Sequence, residues 1–220
     1  SVVNGGAVVV GGLVGMFVGK LLPERLRTSV MAALSLMTIG IAVPGLLKSN
    51  NALIPIISMV VGTLIGELMD IDSAVNKLGE KLQKRFSGSR VTEGFVTGSL
   101  VFAVGALAVM GPLESGLQHQ HSLLFSKSVI DGVASIVFAS TMGLGVALSG
   151  ITVFVVEGSI ALLASVVAPY LGEAVVNEIT FVGSLLIVGI SLNLLGATKL
   201  RILNMVPAIL LPILLCRFMG

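Results

Sequence analysis

Residues 129–171, VIDGVASIVFASTMGLGVALSGITVFVVEGSIALLASVVAPYL, decide the reading of this chain. They hold two charged residues, Asp131 and Glu157, in 43 positions, and one helix needs roughly 20 apolar residues to cross a bilayer. The stretch is therefore two membrane spans, with the turn predicted near Leu148, Ser149 and Gly150. A chain organised around such a pair is an all-α, polytopic transmembrane helical bundle.

The composition agrees. A mean hydropathy of +1.08, with 55% hydrophobic and 11% charged residues, excludes a soluble 220-residue domain, which carries about 25% charge. Twenty-seven glycines fit helices that approach closely through small residues, because lipid offers no hydrophobic drive toward association. The single Cys216 excludes an internal disulfide, and His119 with His121 lacks a nearby third ligand, so no metal or other cofactor is expected. The N-terminal run has no basic leader and continues through a full span into a basic loop, so it reads as the first helix and not as a cleavable signal.

Residues 1–220 read as one integral membrane domain of about eight spans. The first covers residues 2–22 and carries Gly11, Gly15 and Gly19 at four-residue spacing, a smooth face for packing against a neighbouring helix or a second copy of the chain. That face and the small size lead us to expect a homo-oligomer, a dimer or larger. The second span covers residues 29–47 and the third residues 52–69. Ile71, Val75, Leu78, Leu82 and Phe86 then recur among Lys77, Lys81, Lys84 and Arg85, which predicts an amphipathic helix over 71–86 lying on the cytoplasmic membrane surface. Anionic lipid headgroups account for its basic face, and nothing supports nucleic acid as a partner. Span four covers residues 95–113, a polar loop covers 114–127, and after spans five and six a short acidic loop leads to span seven (181–197) and span eight (204–219).

An external N-terminus gathers 10 of the 13 Lys and Arg residues on the inside, leaving Lys48, Lys127 and Arg217 outside. A seven-span alternative, with the fifth span re-entrant, weakens that bias to 8 against 5. A faint repeat places Asn4 in register with Glu157, Gly40 with Gly189, and Asn51 with Asn204. Spans one to three would then correspond to spans six to eight as an inverted repeat, a plan that in transporters puts the site at the interface between copies.

Asn4, Gly12, Gly15, the run Leu22 to Arg25, Gly40-Ile41, Leu64 to Glu67, Lys127-Ser128, Asp131-Gly132, Phe138-Ala139, Gly143 to Val146, Val182-Gly183 and Asn204 to Ala208 resemble a bacterial family, domain of unknown function 554. The resemblance runs through essentially the whole chain. It implies a multi-pass protein of the bacterial cytoplasmic (inner) membrane with a transport role and no assigned substrate. One position departs from it: Glu157 stands where the resemblance implies Gln, which weakens a proton relay through that residue.

Ionisable groups inside spans cost roughly 2.5 to 3.5 kcal/mol each on insertion scales and suggest function by default. Glu67 ends span three, where a carboxylate can also pair with a basic residue of the following loop. Asp131 follows Lys127 by four residues, a spacing that permits an ion pair along one helix. Glu157 is the deepest charge, either a cation or proton site or a carboxyl hydrogen-bonded to a neighbour. Asn193 and Asn204 join Asn4, Glu67 and Glu157 as candidate lining residues of a substrate or ion path, and Ser99, Ser140, Thr141 and Ser191 could add to it. Catalytic signatures such as GxSxG, HExxH or a phosphate-binding loop are absent, so no enzyme is expected. The leading expectation is a small secondary transporter or channel for a small solute or monovalent cation. The alternative is a non-transporting membrane scaffold or regulatory subunit.

Overall fold

The glycine-rich first stretch folds as one helix, α1 (Val2–Lys20), whose inward stripe of Asn4, Val8, Gly11, Gly12, Gly15 and Gly19 follows helical spacing. In this computed structural model residues 1–77, 90–104 and 106–219 are described, and every regular element among them is helical. Pro23, which cannot donate a backbone hydrogen bond, separates α1 from α2 (Glu24–Leu46). α3 (Leu53–Met69) ends at Asp70, held in the left-handed region with φ 48°, and the chain bends by 51° into α4 (Ile71–Lys77). The rest of the predicted surface helix, residues 78–86, lies outside the described residues.

α5 (Val91–Ala103) stops at Val104, whose backbone is extended, and α6 (Ala106–Gln118) follows. α7 (Ser122–Met142) and α8 (Leu144–Leu162) are joined by Gly143 alone, at φ 71°, a conformation glycine adopts without a Cβ clash. The short α9 (Ala164–Val167) and a 3-10 turn lead to α10 (Glu173–Leu194), the most deeply buried of the long helices. α11 (Ile202–Met205), a 3-10 turn and α12 (Leu211–Met219) close the chain with a 42° bend. Five helices, α1, α2, α7, α8 and α10, are long and apolar enough to cross a membrane, and the number reaches eight if each bent pair counts as one span. Phe17, Leu36, Leu64, Val129 and Ile151 project outward, as a surface facing lipid requires and a soluble surface avoids.

Two predicted boundaries differ in the structure. The turn between spans five and six falls at Gly143 and not at 148–150, because Ser149 returns its hydroxyl to the Val146 carbonyl inside α8 and Gly150 admits Gly5 and Val9 of α1. The polar loop predicted over 114–127 is mostly helical: α6 runs to Gln118 and α7 starts at Ser122. Lys127 is therefore inside a candidate span and leaves the outside tally of basic residues.

Close approaches fix how the helices run. α1 lies parallel to α7, with Gly11 against Gly132 and Ser135, Gly15 against Ile136 and Ala139, and Gly19 against Ser140. It lies antiparallel to α8, with Gly5 at Phe154 and Gly12 at Ala147. The ladder Gly11, Gly15, Gly19 is thus filled from within the chain. That removes it as a face between copies, although it is the helix-packing surface the spacing predicts. α2 runs antiparallel to α10, with Gly45 at Ser184 and the following residues Asn50 and Asn51 at Glu178. α3 runs antiparallel to the α11 segment, with Gly62 at Ala208 and Gly66 at Asn204.

Candidate functional site

Where α1 crosses between α7 and α8, four polar side chains meet in a place closed to solvent. Asn4 and Glu157 are fully buried, and Lys127 and Asp131 are 6% exposed each. The Lys127 ammonium pairs with Asp131 Oδ2 one turn along α7, stands 3.4 Å from Glu157 Oε1, and donates to the Phe102 carbonyl at 2.6 Å. Asn4 Nδ2 donates to Glu157 Oε1 at 2.7 Å and to Asp131 Oδ2 at 3.0 Å. The amide orientation follows from its neighbours, since the reverse would set its carbonyl oxygen against two carboxylates.

The local reasons for this meeting are simple. The four-residue spacing places Lys127 and Asp131 on one face of α7. Small residues let the backbones come close: Gly132 meets Ala7, and Gly150 meets Gly5. The break after α5 leaves the Phe102 carbonyl among the last four of its helix, without its usual intrahelical donor, and Lys127 supplies one.

The charges do not balance within the cluster. One ammonium faces two carboxyl groups, and two buried oxygens, Asn4 Oδ1 and Glu157 Oε2, have no hydrogen-bond partner. An isolated charge in a medium this apolar is so unfavourable that the group acquires a partner or a proton. Chemically, the arrangement can hold a proton or a small cation. Among the described residues no group of three or more His, Cys, Asp and Glu could hold a metal ion.

The other predicted path residues lie elsewhere. Glu67, half-exposed at the end of α3, pairs with Arg201 Nη1 at 2.7 Å, and Arg201 also pairs with Asp70 and approaches Asp72 at 3.9 Å. Among the described residues the partner of Glu67 is thus 134 positions away. A hydrogen bond from Ser73 first, and the Arg201 guanidinium next, hold the Asp70 carboxyl below its ordinary value. Asn204 is fully buried and accepts from the Asp72 backbone N–H at 2.7 Å, with its Nδ2 unpaired. Asn193 closes the turn after α10, donating to the Leu200 carbonyl and accepting from Thr198 and the Leu200 N–H. It also lines an open recess of about 580 Å³ with Arg90, Lys199 and Arg201.

The five candidates therefore divide: Asn4 and Glu157 belong to one buried cluster, and Glu67, Asn193 and Asn204 to the opposite ends of their helices. Of the hydroxyls, Ser140, Thr141 and Ser191 bond to carbonyls of their own helices, and only Ser99 reaches another helix, at Thr152. Lys127 and Asp131 are the residues the sequence reading left outside the site, although their spacing announced the pair. Glu178 belongs to the short acidic loop predicted before span seven, but it lies inside α10. It is 3% exposed and accepts the N–H groups of Asn50 and Asn51 at 3.0 and 3.3 Å.

Residues 1–217 match the family described as "Protein of unknown function (DUF554)", and the chain belongs to it. It is similar to the uncharacterized membrane protein YdfK of Bacillus subtilis (strain 168), with 31% identity over 216 residues that cover 96% of this chain and 93% of that protein. It is also similar to the uncharacterized protein YqgA of Escherichia coli (strain K12), with 27% identity over 216 residues covering 95% and 92%. No solved structure matches it. The apolar helices and this kinship make it a membrane protein.

Proposed function

We propose that this chain is a multi-pass protein of the bacterial cytoplasmic membrane that moves a small solute or a monovalent cation, as a secondary transporter or channel, and is not an enzyme. The observation that carries the reading is Glu157, fully buried between helices, sharing one ammonium with Asp131 and keeping Oε2 unpaired. Such a group is expensive inside a membrane, and a structural role alone would be met more cheaply by apolar packing. The path would run between two inverted halves. In support, the residues paired by the repeat, Asn4 and Glu157, bond to each other, and α1/α8, α2/α10 and α3/α11 each pack antiparallel.

A specific observation favours the scaffold reading: α1 is packed solidly against α7 and α8, and neither Asn4 nor Glu157 lines the recess near Asn193. A homo-oligomer is now argued from size alone, since the glycine ladder is occupied. The deciding experiment is flux in proteoliposomes against a panel of amino acids, other small solutes, protons, sodium and potassium. We expect flux that falls at least about tenfold in Asn4→Ala and Glu157→Gln, equivalent to 1.4 kcal/mol or more. A folded protein that moves none of them would hand the case to the scaffold.

A further inference from the structure

We propose that the Lys127 ammonium is a tethered cation standing where a free alkali cation would otherwise bind, so that the ion taken up by the Asn4–Lys127–Asp131–Glu157 cluster is a proton on Glu157, and not sodium or potassium. The inference rests on the transport reading above and names its coupling ion.

Three oxygens from three helices converge on Lys127 Nζ: the Phe102 carbonyl of α5, Asp131 Oδ2 of α7 and Glu157 Oε1 of α8. Carbonyl and carboxylate oxygens are the ligands hard cations choose. The carbonyl is free to serve because α5 breaks just beyond it, the device by which interrupted helices offer oxygens to ions inside membranes. The place is built for a cation, and Lys127 fills it.

With the ammonium in place, the unpaired acceptors of the cluster are Glu157 Oε2 and Asn4 Oδ1. Two oxygens are too few to replace the hydration shell of an alkali ion, whereas a proton needs one. Charge leads to the same ion: a proton taken from water adds to Glu157 Oε2, and the cluster passes from one net negative charge to neutrality.

The groups facing Glu157 are known from each helix packed on it. α1 brings Asn4. α7 brings Lys127 and Asp131, and α5 the Phe102 carbonyl. α6 packs on the end of α8 at Gly116 and Ala161 and carries Glu114, for which no ion pair is found among the described residues.

The test uses the full chain in liposomes with two readouts, binding of radioactive sodium and the infrared carbonyl stretch of a protonated carboxyl group followed against pH. In the native protein we expect a pH-dependent protonated-carboxyl band that disappears in Glu157→Gln, and no saturable sodium binding. Lys127→Met empties the oxygen cage and should bring saturable sodium binding where the native protein shows none. If Lys127→Met does not fold, Lys127→Met/Asp131→Asn, whose cluster has the native net charge, should fold and keep the band. Saturable sodium binding with Lys127 present, a band unchanged in Glu157→Gln, or its loss in the folded double variant overturns the proposal. Solute flux that requires sodium and ignores pH would sink this inference and keep the transporter. The expected band and sodium behaviour without any flux would keep the proton site and sink the transporter.

Discussion

Asn4 and Glu157 lie 153 positions apart in the chain, and Asn4 Nδ2 donates to Glu157 Oε1 at 2.7 Å. That separation is also the offset at which the faint internal repeat aligns them. Residues at matched positions of two copies can touch when they sit near the line about which the copies are related. If the chain is built from two such copies, this contact would put the polar cluster at the seam between them.

Packing of α1 gives a prediction that separates fold from assembly. A methyl group on Gly15 would collide with the Ile136 carbonyl, and one on Gly19 with the Ser140 carbonyl, whereas nothing lies within 4 Å of the same position at Gly6. Gly15→Ala and Gly19→Ala should each cost about 1–3 kcal/mol, as overpacking does, and lower the thermal midpoint in detergent. Gly6→Ala should stay within about 0.5 kcal/mol of native. Equal midpoints for Gly15→Ala and Gly6→Ala would mean that α1 does not sit against α7 as described.

Orientation can be checked with single cysteines in a Cys216→Ser background. Lys77 is exposed beyond α3, and Gln120 is exposed between α6 and α7. The basic-residue count puts 77 inside and 120 outside, so an impermeant thiol reagent applied to intact cells should label Gln120→Cys and spare Lys77→Cys. The reverse pattern would invert the topology.

Acid should loosen the corner after α3. Asp70 is held below its ordinary value by Ser73 and then by Arg201. A carboxyl whose folded value is lowered contributes stability at pH above the unfolded value, roughly 3.9, and loses it as pH falls through the folded one. The thermal midpoint should therefore decline below about pH 4, and Ser73→Ala should flatten part of that decline. Identical curves for both proteins would remove Asp70 from the account.

Glu178 offers a test of hydrogen bonding against charge. Its Oε1 accepts the backbone N–H groups of Asn50 and Asn51 in the turn before α3, and no cation pairs with it among the described residues. Glu178→Gln keeps an accepting oxygen and should be nearly neutral in a denaturation assay. Glu178→Ala strands both donors and should cost about 1–3 kcal/mol. A Gln variant as damaged as the Ala variant would show that the carboxylate charge itself is required.

Much of the architecture was legible because lipid imposes long apolar helices, and hydropathy registers those directly. Helix pairing was less so. Gly11, Gly15 and Gly19 announced close packing, but nothing local says whether the partner is α7 or another copy. Ser149 and Gly150 looked like a turn because small and polar residues usually mark one; here the hydroxyl bonds within its helix and the glycine makes room for α1. A lone lysine in a moderately polar stretch looks solvated, so the residues leading to Lys127 read as a loop. Its burial depends on Asp131, Glu157 and the Phe102 carbonyl arriving together, and two of those contacts are long-range.

The intrahelical pair in α7 also bears on how the protein is made. Lys127 and Asp131 can neutralise each other as soon as one turn of α7 has formed, so that segment can leave the translocon for lipid without waiting for another helix. Glu157 has no such companion on α8, and its amide partner is on α1. Because synthesis runs from the N-terminus, Asn4 is already in the bilayer when Glu157 emerges, and the order of the genetic message supplies the last helix of the cluster with a waiting hydrogen-bond donor.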